Sequence, residues 1–244
     1  MSGIQPRIAV LSVAGALLAW GCGGGGAPSA PTPVATPTPT PQPTPPPTPE
    51  PVATYRLTFD ATWSRTTHPV DFPPNPHFSP LIGGTHSDAV GFWAPEALAS
   101  EGIKAMAERG NPGPLAGEVE AAIAAGTARQ VLLGEGIASS PGSEVLELQT
   151  TPEFPLVTLT SMVAPSPDWF VGVHDLPLLV DGAWVQQQMV TLYVYDAGTD
   201  SGTTYRSPDR ESVPREPIAR IEGFPLEAGG EVRPAGTLTF TRIE

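Results

Sequence analysis

The run Asp196-Ala197-Gly198-Thr199-Asp200-Ser201-Gly202 follows directly on an alternating apolar stretch, and 28 residues before Asp196 stands Pro165-Ser166-Pro167-Asp168-Trp169. Aspartates are short, hard oxygen donors. The Gly and Pro around them hold tight turns in which backbone carbonyls also face inward, so Asp168, Asp196 and Asp200 at two loop tips are candidate calcium ligands. The same residues are ordinary turn formers, with Asp closing Asx-turns, and from the residues alone both readings stay open. Other chemistry is poorly served. Asp200-Ser201-Gly202-Thr203 imitates an aspartic-protease loop, but that reaction needs two such carboxylates sharing a proton and the sequence carries one copy. There is no Gly-x-Ser-x-Gly elbow, phosphate-cradling glycine loop or His-Glu-x-x-His helix, and an enzyme is not expected. His68, His77 and His86 are spaced nine apart on different Pro- and Gly-rich loops. They read as hydrogen-bonded structural histidines rather than a zinc set.

Two loop tips meet only if strands deliver them to one end of a sheet. Tyr55, Leu57, Phe59, Ala61 and Trp63 alternate with polar residues, the period of a half-buried strand. The same reasoning predicts strands over Val145–Leu148, Leu156–Val163, Trp169–Val173 and Trp184–Tyr195, and a closing strand over Thr237–Ile243 with Leu238 and Phe240 inward. On the long Trp184–Tyr195 strand, Val190, Leu192 and Val194 share one face, and Met189, Thr191, Tyr193 and Tyr195 the other. Helices are expected from Glu96 to Arg109, opened by Pro95 and closed by Gly110, and from Leu115 to Ala125, stopped by Gly126. The expected fold is mainly β, an antiparallel β-sandwich with a short helical insertion. Trp63, Trp93, Trp169 and Trp184 are assigned to its core.

The first residues read as an address. Met1–Arg7 is cationic, Ile8–Trp20 is apolar over about 13 residues, too short for a comfortable span, and Gly21-Cys22 ends it. The ending resembles a bacterial lipobox, although Trp20 and Ala19 depart from its usual residues, which makes Cys22 the expected lipidation site. Cys22 is the one cysteine of the chain, so neither an intramolecular disulfide nor a structural thiolate metal site is possible. From Pro28 to Pro51 half the residues are proline. Such a stretch cannot donate enough backbone hydrogen bonds for helix or sheet and extends as polyproline II, a disordered spacer with a reach of roughly 75 Å. Residues 1–21 are thus expected to be a signal peptide, 22–53 a lipidated cysteine and linker, and 54–244 one globular domain. The formal net charge of −13 repels nucleic acid and anionic lipid, leaving the lipid anchor as the expected membrane contact.

Seven blocks carry a resemblance in one order: Tyr55-Arg56-Leu57-Thr58-Phe59 with Trp63-Ser64; Thr67-His68-Pro69; Gly83-Gly84-Thr85-His86-Ser87; Ala99-Ser100-Glu101-Gly102-Ile103-Lys104; Pro165-Ser166-Pro167-Asp168-Trp169; Asp196 to Gly202; and Tyr205, Ser207 and Pro208. Together they resemble the spondin domain family, that of F-spondin and mindin, over about Tyr55 to Phe224. The resemblance implies a sandwich related to calcium-binding C2 domains and an extracellular role in adhesion. It places the family's three aspartate calcium ligands on Asp168, Asp196 and Asp200. It departs from animal members around Leu176–Trp184, where their cysteines are missing and packing must hold the segment. Thrombospondin-type repeats and a reelin-like domain have no counterpart in the sequence, so fold and metal site carry over more safely than partners. The expectation is an exported, membrane-anchored lipoprotein at the outer membrane or cell surface. It binds Ca2+ and presents the domain to a surface, matrix or glycan ligand; a calcium-stabilised structural envelope protein without a dedicated ligand is the alternative.

Overall fold

The computed structural model describes residue 48 and residues 50–244. The signal segment, Cys22 and nearly all of the proline-rich linker lie outside the described residues. Along the chain run β1 (Ala53–Ala61), β2 (His77–Phe78), β3 (Ile82–His86), α1 (Glu101–Arg109), α2 (Gly113–Ala124), β4 (Ala128–Leu133), β5 (Gly142–Thr150), β6 (Leu156–Ala164) and β7 (Trp169–Pro177). There follow a small hairpin of β8 (Leu179–Val180) and β9 (Ala183–Trp184), then β10 (Gln187–Leu192), β11 (Tyr195–Asp196) and β12 (Ala219–Arg220). A second hairpin, β13 (Glu227–Ala228) and β14 (Glu231–Val232), precedes β15 (Gly236–Arg242).

All strand pairs are antiparallel and make two main sheets. One has the order β10-β15-β1-β5, the other β12-β11-β7-β6-β3-β4 with β2 beside β6. Tyr55, Leu57 and Phe59 of β1 and Leu238 and Phe240 of β15 point inward against Val157, Leu159 and Val163 of β6 and Trp169, Val171 and Val173 of β7, all nearly or fully buried. The alternation read from the sequence is therefore the inward face of a β-sandwich. The four expected tryptophans are all buried, and Trp63 Nε1 donates to Tyr205 Oη at 3.2 Å.

The helices are more than an insertion. Ile103, Met106, Leu115 and Val119 pack with Ile82, Met162 and Phe170 on the outer face of the second sheet, so the domain has three layers. This explains the near-continuous burial of β6, whose Thr158, Thr160 and Met162 lie beneath helices while Val157, Leu159 and Val163 face the other sheet. At Gly84 a Cβ would stand 2.7 Å from Val119 Cγ1, so the glycine lets α2 approach the sheet.

Two expected boundaries are corrected. The first helix begins at Glu101, not Glu96: Ser100 is its N-cap, accepting from the Ile103 N–H at 3.1 Å, while Glu96 has φ 68°, outside helical space. The Glu118 carboxylate of α2 also accepts from the Gly102 N–H at 2.7 Å, so tertiary contact fixes that end, and Gly110 closes the other with φ 60°. The single strand expected over Trp184–Tyr195 is broken into β9, β10 and β11. β10 pairs with β15 in the first sheet and β11 with β7 in the second, so the chain crosses the sandwich between them. Its two faces are as read, with Leu192 and Val194 buried and Met189 exposed, but Tyr195 on the Met189 face packs against the cluster beneath the helices.

The histidines occupy separate places. His68 is buried between Thr67 Oγ1 and the Arg233 carbonyl, His77 Nδ1 meets the Asn75 carbonyl, and His86 is buried between the Ser87 carbonyl and Thr158 Oγ1. The cysteine-free segment Leu176–Trp184 is held by packing of Leu178 and by the Tyr55 hydroxyl, which donates to the Val185 carbonyl at 2.7 Å. Trp184 Nε1 donates to the Glu50 carbonyl at 2.9 Å and ties the end of the linker to the domain. No helix of the described residues is long and apolar enough to cross a membrane.

Candidate metal centre

Strand register brings the three aspartates together. Asp168 immediately precedes β7 and Asp196 ends β11; those strands pair with Asp196 opposite Trp169 and Tyr195 opposite Phe170. The Ala197 N–H then donates to the Asp168 carbonyl at 3.1 Å, and the chain turns back over Asp168. Gly198 makes that turn at φ 72°, and a Cβ there would stand 2.1 Å from the Glu216 carbonyl oxygen, so both conformation and space demand glycine. The turn ends with Thr199 and Asp200 above the Asp168 carboxylate. Thr199 N, Thr199 Oγ1 and Asp200 N donate to Asp168 Oδ2 at 2.7, 3.1 and 2.9 Å.

The other two carboxylates are anchored in Asx-turns. Asp196 Oδ1 accepts from the Gly198 N–H at 2.7 Å, and Asp200 Oδ1 from the Gly202 N–H at 2.8 Å. Asp200 Oδ2 accepts from the Arg210 N–H, a partner ten residues on, at 2.5 Å. The turn chemistry that sequence offered as a rival to metal binding is therefore present, and it leaves one buried oxygen over. Asp168 is fully buried, and its Oδ1 has no hydrogen-bond partner.

The electrostatics agree with that shortfall. Burial, and then the neighbouring Asp196 charge, push the Asp168 carboxyl up to about 7 against the three hydrogen bonds that favour its ionised form. Burial likewise raises Asp196, opposed by the Gly198 N–H and the Trp169 indole and assisted by the charges of Glu216 and Asp200. Trp169 Nε1 is buried without a partner in hydrogen-bonding geometry, so its pull on Asp196 is electrostatic rather than a closed bond. Among the described residues no three His, Cys, Asp or Glu side chains close into a ready-made metal cage. The aspartates are close enough to disfavour one another's charge without forming a ring, and a hard divalent cation would satisfy what they lack: an orphaned buried oxygen and uncompensated negative charge. The residues fit such an ion.

Glu216 escaped the sequence reading. It lies in an exposed, irregular stretch without periodicity and enters only because its N–H pairs with the Gly198 carbonyl at 2.8 Å. Beside the cluster a cleft of about 260 Å³ opens between Lys104, Glu108 and Arg109 of α1 and Pro167, Asp200 and Glu211 of the loops.

Fold and site together define an antiparallel sandwich with acidic loops at one end of its second sheet. The chain belongs to the spondin family: the Spondin_N family model matches residues 53–228. Spondin-2 of Rattus norvegicus is 34% identical over 197 residues, covering 79% of this chain and 58% of that protein. Spondin-2 of Homo sapiens matches to the same extent, and Spondin-1 of Gallus gallus is 38% identical over 209 residues, covering 78% of this chain and 25% of that protein. The chain thus spans little more than half the length of the first relatives and a quarter of the others.

Proposed function

We propose that this protein is a calcium-binding, extracytoplasmic surface lipoprotein that holds a spondin-type domain out on a proline-rich stalk to bind a surface, matrix or glycan ligand. The observation that carries the calcium reading is the buried, unpartnered Asp168 Oδ1 beside Asp196 and Asp200. Asp168, Asp196 and Asp200 would hold the ion, which supplies positive charge where three loops meet. The residues around the ion favour binding over a purely structural role. Val213, 84% exposed, lies between Ser212, whose N–H meets the Thr199 carbonyl, and Glu216, and Leu98, 63% exposed, bridges to Pro217 on the same stretch. Apolar side chains held in water beside an ion-ordered loop suit contact with a partner.

Extracellular calcium modules bind at about 10⁻⁴ to 10⁻³ M. At the tighter end, about 1 mM calcium adds about 1.4 kcal/mol to the folded state, a melting shift of about 3 to 6 °C over EDTA for a domain of this size. Magnesium gives less, because it demands a smaller octahedral site and sheds water reluctantly. Asp200→Asn removes one charge, so most of that shift disappears; since both Asp200 oxygens accept backbone N–H bonds and an amide keeps one acceptor, the apo domain also loses about 1–3 kcal/mol while staying folded. An equal calcium response in native and Asp200→Asn proteins, or none in either, defeats the metal reading. Capture of surface glycans or matrix components on an array, with and without EDTA, separates ligand binding from a structural role. For the anchor, Cys22→Ser releases the protein from membranes; a variant that partitions into detergent like the native protein refutes lipidation.

A further inference from the structure

We propose that the seam between β4 and β5 holds a second site, a pocket for an organic cation, which receives the lysine or arginine side chain of an extended partner polypeptide. β4 is the outer strand of the second sheet and β5 the outer strand of the first, so the sandwich is open between them. There a pocket of about 380 Å³ is walled by Leu133, Gly134 and Glu135 on one side and Ser143, Glu144 and Val145 on the other. Glu144 is only 8% exposed. Its Oε1 accepts from the Glu135 N–H at 2.7 Å, whereas its Oε2 is buried with no hydrogen-bond partner.

This placement is built into the backbone. A Cβ at residue 134 would stand 1.7 Å from Glu144 Oε1, so only glycine lets the carboxylate lie against that turn. Among the described residues Glu144 takes part in no ion pair, although Glu147 of the same strand, facing outward, pairs with Arg56 at 3.2 Å. A buried carboxylate with one donor and no countercharge is costly, and a cation is what relieves it.

The surroundings choose the kind of cation. A hard metal wants six or more oxygens, and this pocket is instead edged by Leu133 and Val145, 53% and 59% exposed. Apolar edges around a carboxylate suit an aliphatic stem ending in an ammonium or guanidinium. Because β5 has no strand on its outer side, an extended segment can lie along it and lower such a side chain into the pocket.

The test is an NMR titration of the full chain with Nα-acetyl-arginine methylamide, following the Glu135 amide, against Nα-acetyl-norleucine methylamide, which has the stem without the charge. The arginine probe gives a saturable shift at Glu135 with or without EDTA, and the norleucine probe does not. Glu144→Gln weakens the arginine probe at least tenfold. Val145→Lys, at an exposed position that leaves the fold intact, sets a competing cation at the mouth and weakens it as well. An equal response to both probes, no saturable response in the native chain, or native affinity in Glu144→Gln overturns the proposal.

Discussion

The space between the sheets and the acidic loops are neighbours in the chain and opposites in physical chemistry. Trp169 belongs to the first and Asp168 to the second. Between the sheets the apolar side chains satisfy one another, and polar handles they bring in are paired, as with Trp63 Nε1 on Tyr205 and the Tyr55 hydroxyl on the Val185 carbonyl; Trp169 Nε1, beside the acidic loops, is the exception. At the loops the backbone is equally well organised, but charge is left uncompensated on Asp168. One region holds itself together, and the other, on the proposed reading, is completed by a cation. A binding domain needs both, because a site that is not self-sufficient can be kept in shape only by a core that is.

The sharpest way to separate the two regions is to damage the core alone. Phe240→Ala removes a fully buried ring from β15 and costs about 3–5 kcal/mol, read by urea unfolding. The increment due to calcium stays the same, and a loss of that increment would show that the regions are not separate.

The loops respond to pH through Asp168. The folded-state pKa of Asp168 lies above its ordinary value, so between pH about 4 and about 7 the folded domain binds more protons than the unfolded chain. Without calcium, stability is therefore full below that window and falls as pH rises through it, on the order of 4 kcal/mol at most. Calcium holds the carboxylate ionised and flattens or reverses the slope. Asp168→Asn removes most of the slope in EDTA, leaving the contribution of Asp196, which burial also raises, and the opposing one of buried His68. Melting curves at fixed ionic strength across this range decide the matter, and a native apo domain that gains stability over the same window rules out the buried-acid account.

A smaller effect comes from the hinge of the two regions. Gly198→Ala forces a Cβ against the Glu216 carbonyl at a positive φ, a cost of roughly 1–3 kcal/mol. Its signature is local: calcium affinity falls, monitored by terbium luminescence, while the near-ultraviolet circular dichroism of the buried tryptophans is retained. If affinity is unchanged, the turn over Asp168 tolerates more than its geometry implies.

Much of this was legible in the residues. Strict alternation at Tyr55–Trp63 and Thr237–Ile243 named inward faces, because a strand buried on one side writes its environment at period two. The loop aspartates were legible as turn residues, and two of them do close Asx-turns; the family resemblance, more than their residue types, marked them as candidate ligands. The break in Trp184–Tyr195 was not visible, since a chain that changes sheets keeps the same alternation on either side of the crossing. Nor was the true start of α1, where Ser100 and a carboxylate from α2 outcompete the proline signal.

The amino-acid sequence by itself determined the strands with one buried face and the absence of an intramolecular disulfide. Only the tertiary structure decided that β6 is covered on both sides and that Glu216 joins the acidic loops. It also decided that Glu144 lies against Gly134 in the seam without a countercharge. The physical reason is that a residue's type and its neighbours in the chain set its local conformation, whereas burial and the electrostatic cost of a charge depend on which distant segments close over it.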